Sequence, residues 1–368
     1  SEQFAAKPLD YQELFDGNTD DSFCCGIRFL GRSVQLMAPL YSADIIVASP
    51  LGLRLLTKTS EDTTSRRNYD FLSSIELLVV ESAHVLLMQN WEHLTTVLEV
   101  TNAPLLRPRD TDYSRVRNYF LDLLAKHYRQ TIVLSAVAAP QVLALFNNAS
   151  LCGNNRAGKQ AVYALPPKIK LGSISSVLLP IDQVFVRIPL ALSELASEPD
   201  VRFQAFVETV WPELVKVRES QGGTVAIYIP SYFDFVRVRN HLVAESAKFE
   251  VISEYSTLSQ VARARSKFYH HETHFLLFTE RFYFYLRYRI RGISRLVFYA
   301  PPTFARFYPE LINDMESESD PLATAALLAT RKVWTLYTIA DKYRLLPILG
   351  SGNYKAVTKS AKRTHLFA

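Results

Sequence analysis

An α/β fold made of two domains with parallel sheets is what this sequence predicts, and three observations carry the prediction. The chain has 368 residues, which at about 150 residues per domain makes two domains, each able to bury a core. Hydrophobic residues make up 48% and charged residues 21%, ordinary globular usage that excludes wholesale disorder. Short apolar runs alternate with amphipathic stretches along the whole chain, as they do where parallel strands are covered on both faces by helices.

The strands come in two sets. Asp44–Ala48, Ile75–Val80 and Thr131–Ala136 lie in the first half, and Thr224–Ile229, Phe275–Phe278 and Arg295–Tyr299 in the second. All are near-continuous β-branched or aromatic runs rather than alternating ones. Helical spacing appears between them. From Ser114, a suitable N-cap, Val116, Phe120, Leu123, Leu124 and His127 recur at three- and four-residue steps. Further helices are expected over Phe203–Val217, Tyr232–Leu242 and Leu322–Arg344, the last carrying Leu327, Leu328, Val333 and Leu336 on one side. Asn154–Lys159 and the prolines Pro166, Pro167 and Pro180 break any long element. The expected organisation is therefore a first domain over 1–155, a linker over 156–200 and a second domain over 201–368. Ser60–Asn68 reads as a solvated loop.

Charge and cysteine usage bound the function. Lys plus Arg is 41 against 36 Asp plus Glu, a net +5 that permits a polyanionic partner without demanding one. Three cysteines, Cys24, Cys25 and Cys152, make neither a disulfide framework nor a four-thiolate zinc site, so a reducing compartment is expected. No apolar run is long enough for a transmembrane helix, and Ser1–Phe4 shows no secretory pattern. With only 12 glycines, a glycine-loop-rich architecture is disfavoured.

Three strand ends carry the chemistry. One delivers Glu81-Ser82-Ala83-His84, a second delivers Ser135-Ala136-Val137, and a third runs into Ser49-Pro50-Leu51-Gly52-Leu53-Arg54. An acidic-x-Ala-(Asp/His) tetrad followed by a Ser-Ala-(Thr) strand end resembles the first RecA-like domain of DEAD-box and DEAH-box RNA helicases. The Ser49–Arg54 stretch is similar to their RNA-contact loop, which makes Ser49, Pro50 and Arg54 RNA-binding candidates. In the second half, Thr279-Glu280, Arg291-Gly292-Ile293 and Tyr299-Ala300-Pro301 resemble the corresponding second-domain segments. Gln260 and Arg263 match a Gln-x-x-Arg nucleic-acid contact.

The hydrolytic groups do not match. Nucleotide hydrolysis in this fold uses a strand-end Asp to hold Mg²⁺ and a neighbouring Glu to orient water. Here Glu81 is one methylene longer, and Ser82 cannot act as a carboxylate base. No Gly-Lys-Ser/Thr loop occurs, since Gly158-Lys159 is followed by Gln160. Val137 replaces a hydroxyl residue, and the arginine-finger element expected after Pro302 is missing. No catalytic residue and no cofactor are therefore expected.

Longer matches identify a family. Ile45–Arg54, Tyr69–Glu76, Leu87–His93, Ser114–Asn118, Tyr128–Thr131, Ile229–Arg237 and Ser253–Ser256 closely resemble the digestive-organ-expansion-factor family, the U3 small-nucleolar-RNA-associated, DEAD-box-like proteins of the small-subunit processome. The resemblance implies two RecA-like domains in a helicase-like arrangement, the first lacking its N-terminal strands. It implies a nucleolar pseudo-helicase scaffold in 18S ribosomal RNA maturation, with pre-ribosomal RNA, the U3 snoRNP and other processome proteins as partners and neither membrane nor DNA. The family's usual tetrad is Asp-Gln-Ala-Asp, so Glu81–His84 stands further from a working helicase. An ATP-dependent RNA helicase with its phosphate loop in a missing N-terminal segment, and a purely protein-binding scaffold, are the alternatives.

Other features have a plainer role beside the functional one. The segment Arg281–Arg291 is rich in Arg and aromatic residues and has no acid, which makes Arg287, Arg289 and Arg291 RNA candidates beside Arg263; the plainer reading puts its rings in the core. His271 and His274 are three apart rather than four, so no metal site is expected. Ser82 with His84 lacks the strained turn of a nucleophile. Trp91, Tyr232 and Phe235 are partner-contact candidates, with packing as the plainer role.

Overall fold

The computed structural model describes residues 2–58, 69–103, 112–148, 169–315 and 331–367. The chain divides into two compact units, Ser1–Ala164 and Leu165–Ala368. The Ser60–Asn68 loop, Asn154–Lys159, Pro166-Pro167, Cys152 and the Leu327–Leu328 pair lie outside the described residues.

In the first unit, β1 (Cys24–Leu30), β2 (Ser33–Leu36) and β3 (Ile45–Ala48) form a three-stranded sheet in the order β2-β1-β3. Both pairings are antiparallel, with Phe29 opposite Val34 and Cys25 opposite Val47. The parallel reading of Ile45–Ala48 is thus corrected. Ile45 and Val47 are exposed and alternate with half-buried Ile46 and Ala48, and one covered face is all that an antiparallel strand needs. Gly26 is required in β1, because a Cβ there would meet the Ala38 carbonyl oxygen at 2.4 Å.

A second, parallel pair follows: β4 (Leu77–Val80) and β5 (Gln130–Val133), in register from Leu77 opposite Gln130 to Val80 opposite Val133. Val80, Ala83, Leu94, Leu98 and Leu145 form its core, with Trp91 packed against it. The helix expected from Ser114 is three separate turns, Tyr113–Arg115, Asn118–Leu121 and Ala125–Tyr128. Leu121, Leu123 and Leu124 are exposed, so no buried stripe holds a continuous helix together, and Leu123 sits at φ +58°. Asp112 is the cap in place of Ser114: its carboxylate accepts from the Ser114 N–H at 3.0 Å and hydroxyl at 2.6 Å.

The second unit is a seven-stranded sheet in the order β12-β6-β11-β10-β7-β9-β8. Its strands are β6 (Asp182–Arg187), β7 (Val225–Ile229), β8 (Phe249–Ile252), β9 (Phe275–Thr279), β10 (Arg295–Phe298), β11 (Lys332–Tyr337) and β12 (Thr364–Phe367). All pairings are parallel except β12 on β6. Every residue of β7, β9 and β10 is buried. Strand β6 falls inside the stretch whose prolines suggest a linker.

The helix expected over Leu322–Arg344 is also corrected. Its residues 322–330 lie outside the described residues, Lys332–Tyr337 is β11, paired with β10 and β6, and a helix follows from Lys342. Val333 and Leu336 fall three apart and so mimic a helical step, whereas the fully buried Val-Trp-Thr-Leu-Tyr run suits an inner strand. The Phe203–Val217 stretch lies in Glu198–Gln221, interrupted by a π-turn at Phe206–Val210. Pro212 follows that turn; it lacks an N–H and its ring crowds the carbonyl four residues back, which a wider turn accommodates.

Candidate functional site

The chemistry-bearing strand ends of the first unit meet. β4 and β5 are neighbours, and the residues leaving them are tied together: the Leu134 N–H donates to Val80 O and the Ala83 N–H to Leu134 O, both at 2.8 Å. Ser82 adopts a left-handed conformation, φ +48°, and its hydroxyl donates to Glu81 Oε1 at 2.6 Å. His84 Nδ1 accepts from the Ala136 N–H at 3.1 Å, so a neutral ring carries its proton on Nε2. Ser135 Oγ donates to the Val137 carbonyl at 2.7 Å. The tetrad and the Ser-Ala-Val turn are thus bonded to each other. Chemically they present one exposed carboxylate, Glu81, with a hydroxyl beside it where a second carboxylate would be needed to orient water.

Ser49 is buried and works as a helix cap. Its N–H donates to Phe23 O at 3.0 Å, and its hydroxyl accepts from the Gly52 N–H at 2.9 Å. Pro50 takes the first position of the helix Pro50–Lys58, where a missing N–H costs nothing. Gly52 is needed because a Cβ would meet Phe23 O at 2.4 Å. Ser49 is therefore removed from the contact candidates, and half-buried Arg54 remains. Trp91 opens the helix Trp91–Val100 behind an Asn90 cap and packs on the core.

In the second unit the C-terminal ends of β7, β9 and β8 lie side by side. Ser231 caps the helix Tyr232–Ala244. Half-buried Tyr232 stacks on Phe235 with centroids 5.8 Å apart, and meets Tyr255, from the turn after β8, edge-on at 5.0 Å. Phe235 belongs to the core, which removes it as a partner contact. Phe233 is the exposed ring instead, at 83%, with Tyr255 at 69% and Leu258 at 64%. Helical spacing was the available signal: Phe235, Val238 and Leu242 share the buried face, and Phe233 falls opposite.

The basic candidates separate. Thr257 and Gln260 form a capping box for the helix Leu258–Tyr269, and Arg263 projects from it exposed. Arg287 is interior: Nη1 binds Glu310 Oε2 at 2.7 Å, and its guanidinium lies 4.3 Å from the Phe307 ring centroid. Phe282, Tyr283 and Phe284 are also buried. The RNA reading is corrected for Arg287, whose charge is spent within the fold. Half-buried Arg289 pairs with Asp314 at 3.2 Å, and Arg291 is exposed. The residue after β9, Glu280, is buried and accepts from the Thr303 N–H (2.7 Å) and hydroxyl (2.8 Å). Burial raises its carboxyl above the ordinary range, against Arg344 and these hydrogen bonds. Glu280 is thereby a structural acid.

A second buried cluster gave no sequence signal. Arg202 binds Glu198 and Asp341, the latter at 2.5 Å, and also donates to Tyr299 O (3.1 Å) and Leu336 O (3.3 Å). Burial alone would depress the guanidinium, but Asp341 and Glu198 hold it above its usual range. It therefore stays charged and ties β10 to β11. Among the described residues, no group of three or more His, Cys, Asp or Glu side chains is placed to hold a metal, and no helix is long and apolar enough to cross a membrane.

An α/β protein with a carboxylate at the end of one parallel strand and a Ser-Ala turn at the end of the next is, by class, nucleotide-hydrolase-like. The family described as "UTP25, NTP hydrolase-like domain" matches residues 1–160, and "Utp25, C-terminal domain" matches residues 173–367. The chain belongs to the Utp25 family. It is 41% identical over 364 residues to the human U3 small nucleolar RNA-associated protein 25 homolog, covering 98% of this chain and 45% of that protein. Against U3 small nucleolar RNA-associated protein 25 of Schizosaccharomyces japonicus it is 39% identical, covering 98% of this chain and 53% of the relative. Against Protein NUCLEOLAR FACTOR 1 of Arabidopsis thaliana the identity is 36%, with 99% and 46% covered. The chain thus spans about half the length of the curated relatives it matches. Among solved structures, S. cerevisiae Dbp5 bound to RNA and ADP BeF3 aligns at 15% identity and a TM-score of 0.33, over 83% of this chain and 62% of that one.

Proposed function

We propose that this chain is a catalytically degenerate, helicase-like scaffold of small ribosomal subunit biogenesis, working in the nucleolus with the U3 snoRNP and other processome proteins and holding pre-ribosomal RNA. One observation carries the loss of catalysis. Glu81 has Ser82 where a water-orienting carboxylate belongs, and Ser82, His84, Ser135 and Ala136 spend hydrogen bonds on one another and on Glu81 and Val137. Family membership and the relatives' U3 small nucleolar RNA-associated names support the setting.

The RNA surface belongs to the second unit. Tyr232, Phe233 and Tyr255 offer stacking faces at the strand ends, and exposed Arg263 and Arg291 offer phosphate contacts. The test is RNA-stimulated ATP hydrolysis by the full-length protein, alongside crosslinking in intact particles. The expected result is turnover no greater than that of Glu81→Gln, and crosslinks on peptides containing Phe233 or Tyr255. Turnover that RNA stimulates and Glu81→Gln abolishes establishes an active helicase instead. Crosslinks absent from both units leave a protein-only scaffold.

A further inference from the structure

A cavity of about 480 Å³ opens in the second unit, away from the aromatic strand ends. It lies where β6 and β11 finish, at Arg187 and Tyr337, and the helix Lys342–Lys359 closes it with Leu345, Tyr354 and Thr358. Crevices at the carboxyl ends of parallel strands are where open α/β sheets take ligands, and the volume lies in the range of small binding pockets.

Its lining is aliphatic with a cationic side. Leu190, Ile339 and Leu345 supply apolar wall, and Arg187 and Lys342 supply positive charge. Arg187 is held in place by Nη1 donating to the Ser360 carbonyl at 3.0 Å, which leaves its other N–H groups for a ligand. Glu194, the lining acid, is engaged locally, accepting from the Ala191 N–H at 3.3 Å.

The same wall carries a buried polar group. Tyr337 is 2% exposed, and its hydroxyl has no hydrogen-bond partner. Leaving such a group unpaired is costly. Burial pushes this hydroxyl up to about 12, with Arg187 pulling it down and Tyr354 adding to the rise. It therefore remains a donor at neutral pH.

The mouth decides between kinds of partner. Leu192 is 71% exposed, Ile339 51% and Leu195 44%. Ile339 lines the cavity, and Leu192 and Leu195 each follow directly on a lining residue, Ala191 and Glu194; exposed aliphatic surface beside a pocket marks a protein contact. A nucleic-acid surface is instead carried by many cations and by exposed rings. We propose that this cavity docks a peptide that places one bulky aliphatic or aromatic side chain among Leu190, Ile339 and Leu345, with a neighbouring Asp or Glu on Arg187 and Lys342. The site stands whether or not the first unit hydrolyses nucleotide.

The experiment selects random linear peptides by display against the folded chain and measures the enriched sequence by fluorescence polarisation. The expected consensus pairs an acid with a bulky apolar residue. Lys342→Glu and Ile339→Asp, both at exposed positions, each weaken that peptide about tenfold or more while thermal melting is unchanged. Replacing the peptide's acid by Lys restores binding to Lys342→Glu. Failure to enrich such a consensus overturns the proposal, as does a consensus peptide that binds both variants as well as the parent. Displacement of the peptide by a single-stranded oligouridine whose own binding also falls with Lys342→Glu assigns the cavity to nucleic acid and overturns it too.

Discussion

The two sheet systems follow one sequence grammar and end in opposite states. In the second unit, β7, β9 and β10 are buried at every residue. Helices cover them through Val238, Leu242, Phe206 and Leu214. In the first unit, the parallel pair β4 and β5 leaves Leu77 55% and Val79 49% exposed, and β2 is exposed throughout. Both regions are spelled in short Val, Ile and Leu runs. What separates them is how many layers the neighbouring chain supplies, because a parallel strand gains its full stabilisation only when both faces are covered. The second unit is therefore where packing energy is concentrated, and among the described residues the first keeps more of its strand surface exposed.

The sharpest way to break this contrast is to empty the buried ion cluster. Arg202→Ala leaves Asp341 and Glu198 without their guanidinium and is expected to cost the second unit about 3–5 kcal/mol, read as a shift in urea midpoint reported by its tryptophans. A loss below about 1 kcal/mol makes the cluster a surface-like pair and removes it as the tie between β10 and β11. Next comes a matched pair in the strands. Ile227→Ala, at a fully buried position, is expected to cost about 2–5 kcal/mol, and Val79→Ala below about 1 kcal/mol. Equal losses erase the difference between the units.

Acidity sharpens the same contrast more gently. Burial pushes Asp314 up from 3.8 to about 6, with Arg289 opposing and Glu310 adding to the rise. A raised folded value means that the folded state binds the proton more tightly than the unfolded chain. The contribution is full below about 4, is lost as pH rises through about 6, and amounts to roughly 3 kcal/mol. The second unit is thus expected to gain stability from pH 7 to pH 5 through this group, and Asp314→Asn to flatten that gain. Carboxyl NMR titration reads it directly, and a midpoint near 4 refutes it.

Legibility in the sequence followed the same physics. Thr224–Ile229, Phe275–Phe278 and Arg295–Tyr299 read as strands because, apart from Arg295, their residues are apolar or β-branched. β11 did not, because Val333 and Leu336 also satisfy a helical step, and only its place in the middle of the sheet settles the period. β6 was hidden by Asp182, Gln183 and Arg187 among its apolar residues. At the candidate site, the tetrad and the Ser-Ala-Val turn were readable because they are contiguous in sequence. The fate of the arginines was not. Arg287 and Arg291 look alike in a basic segment, but only the tertiary partner Glu310 draws the first into the interior. Arg202 illustrates the same limit, since Asp341, its partner, lies 139 residues away.

The smallest expected effect tests how the first unit holds its open site together. His84 joins the end of β4 to the end of β5, its Nδ1 accepting from the Ala136 N–H. The site is exposed, so water replaces the ring when it is removed, and His84→Ala is expected to cost only about 0.5–1.5 kcal/mol. Global unfolding barely registers such a loss, but amide exchange does: the Ala136 N–H should exchange faster in His84→Ala while the β7 and β9 amides keep their rates. Asn at position 84 keeps a side-chain acceptor in reach and should restore most of the protection. If Ala136 is equally protected in all three proteins, the bond contributes nothing, and the two strand ends are held by the backbone bonds of Leu134 with Val80 and Ala83.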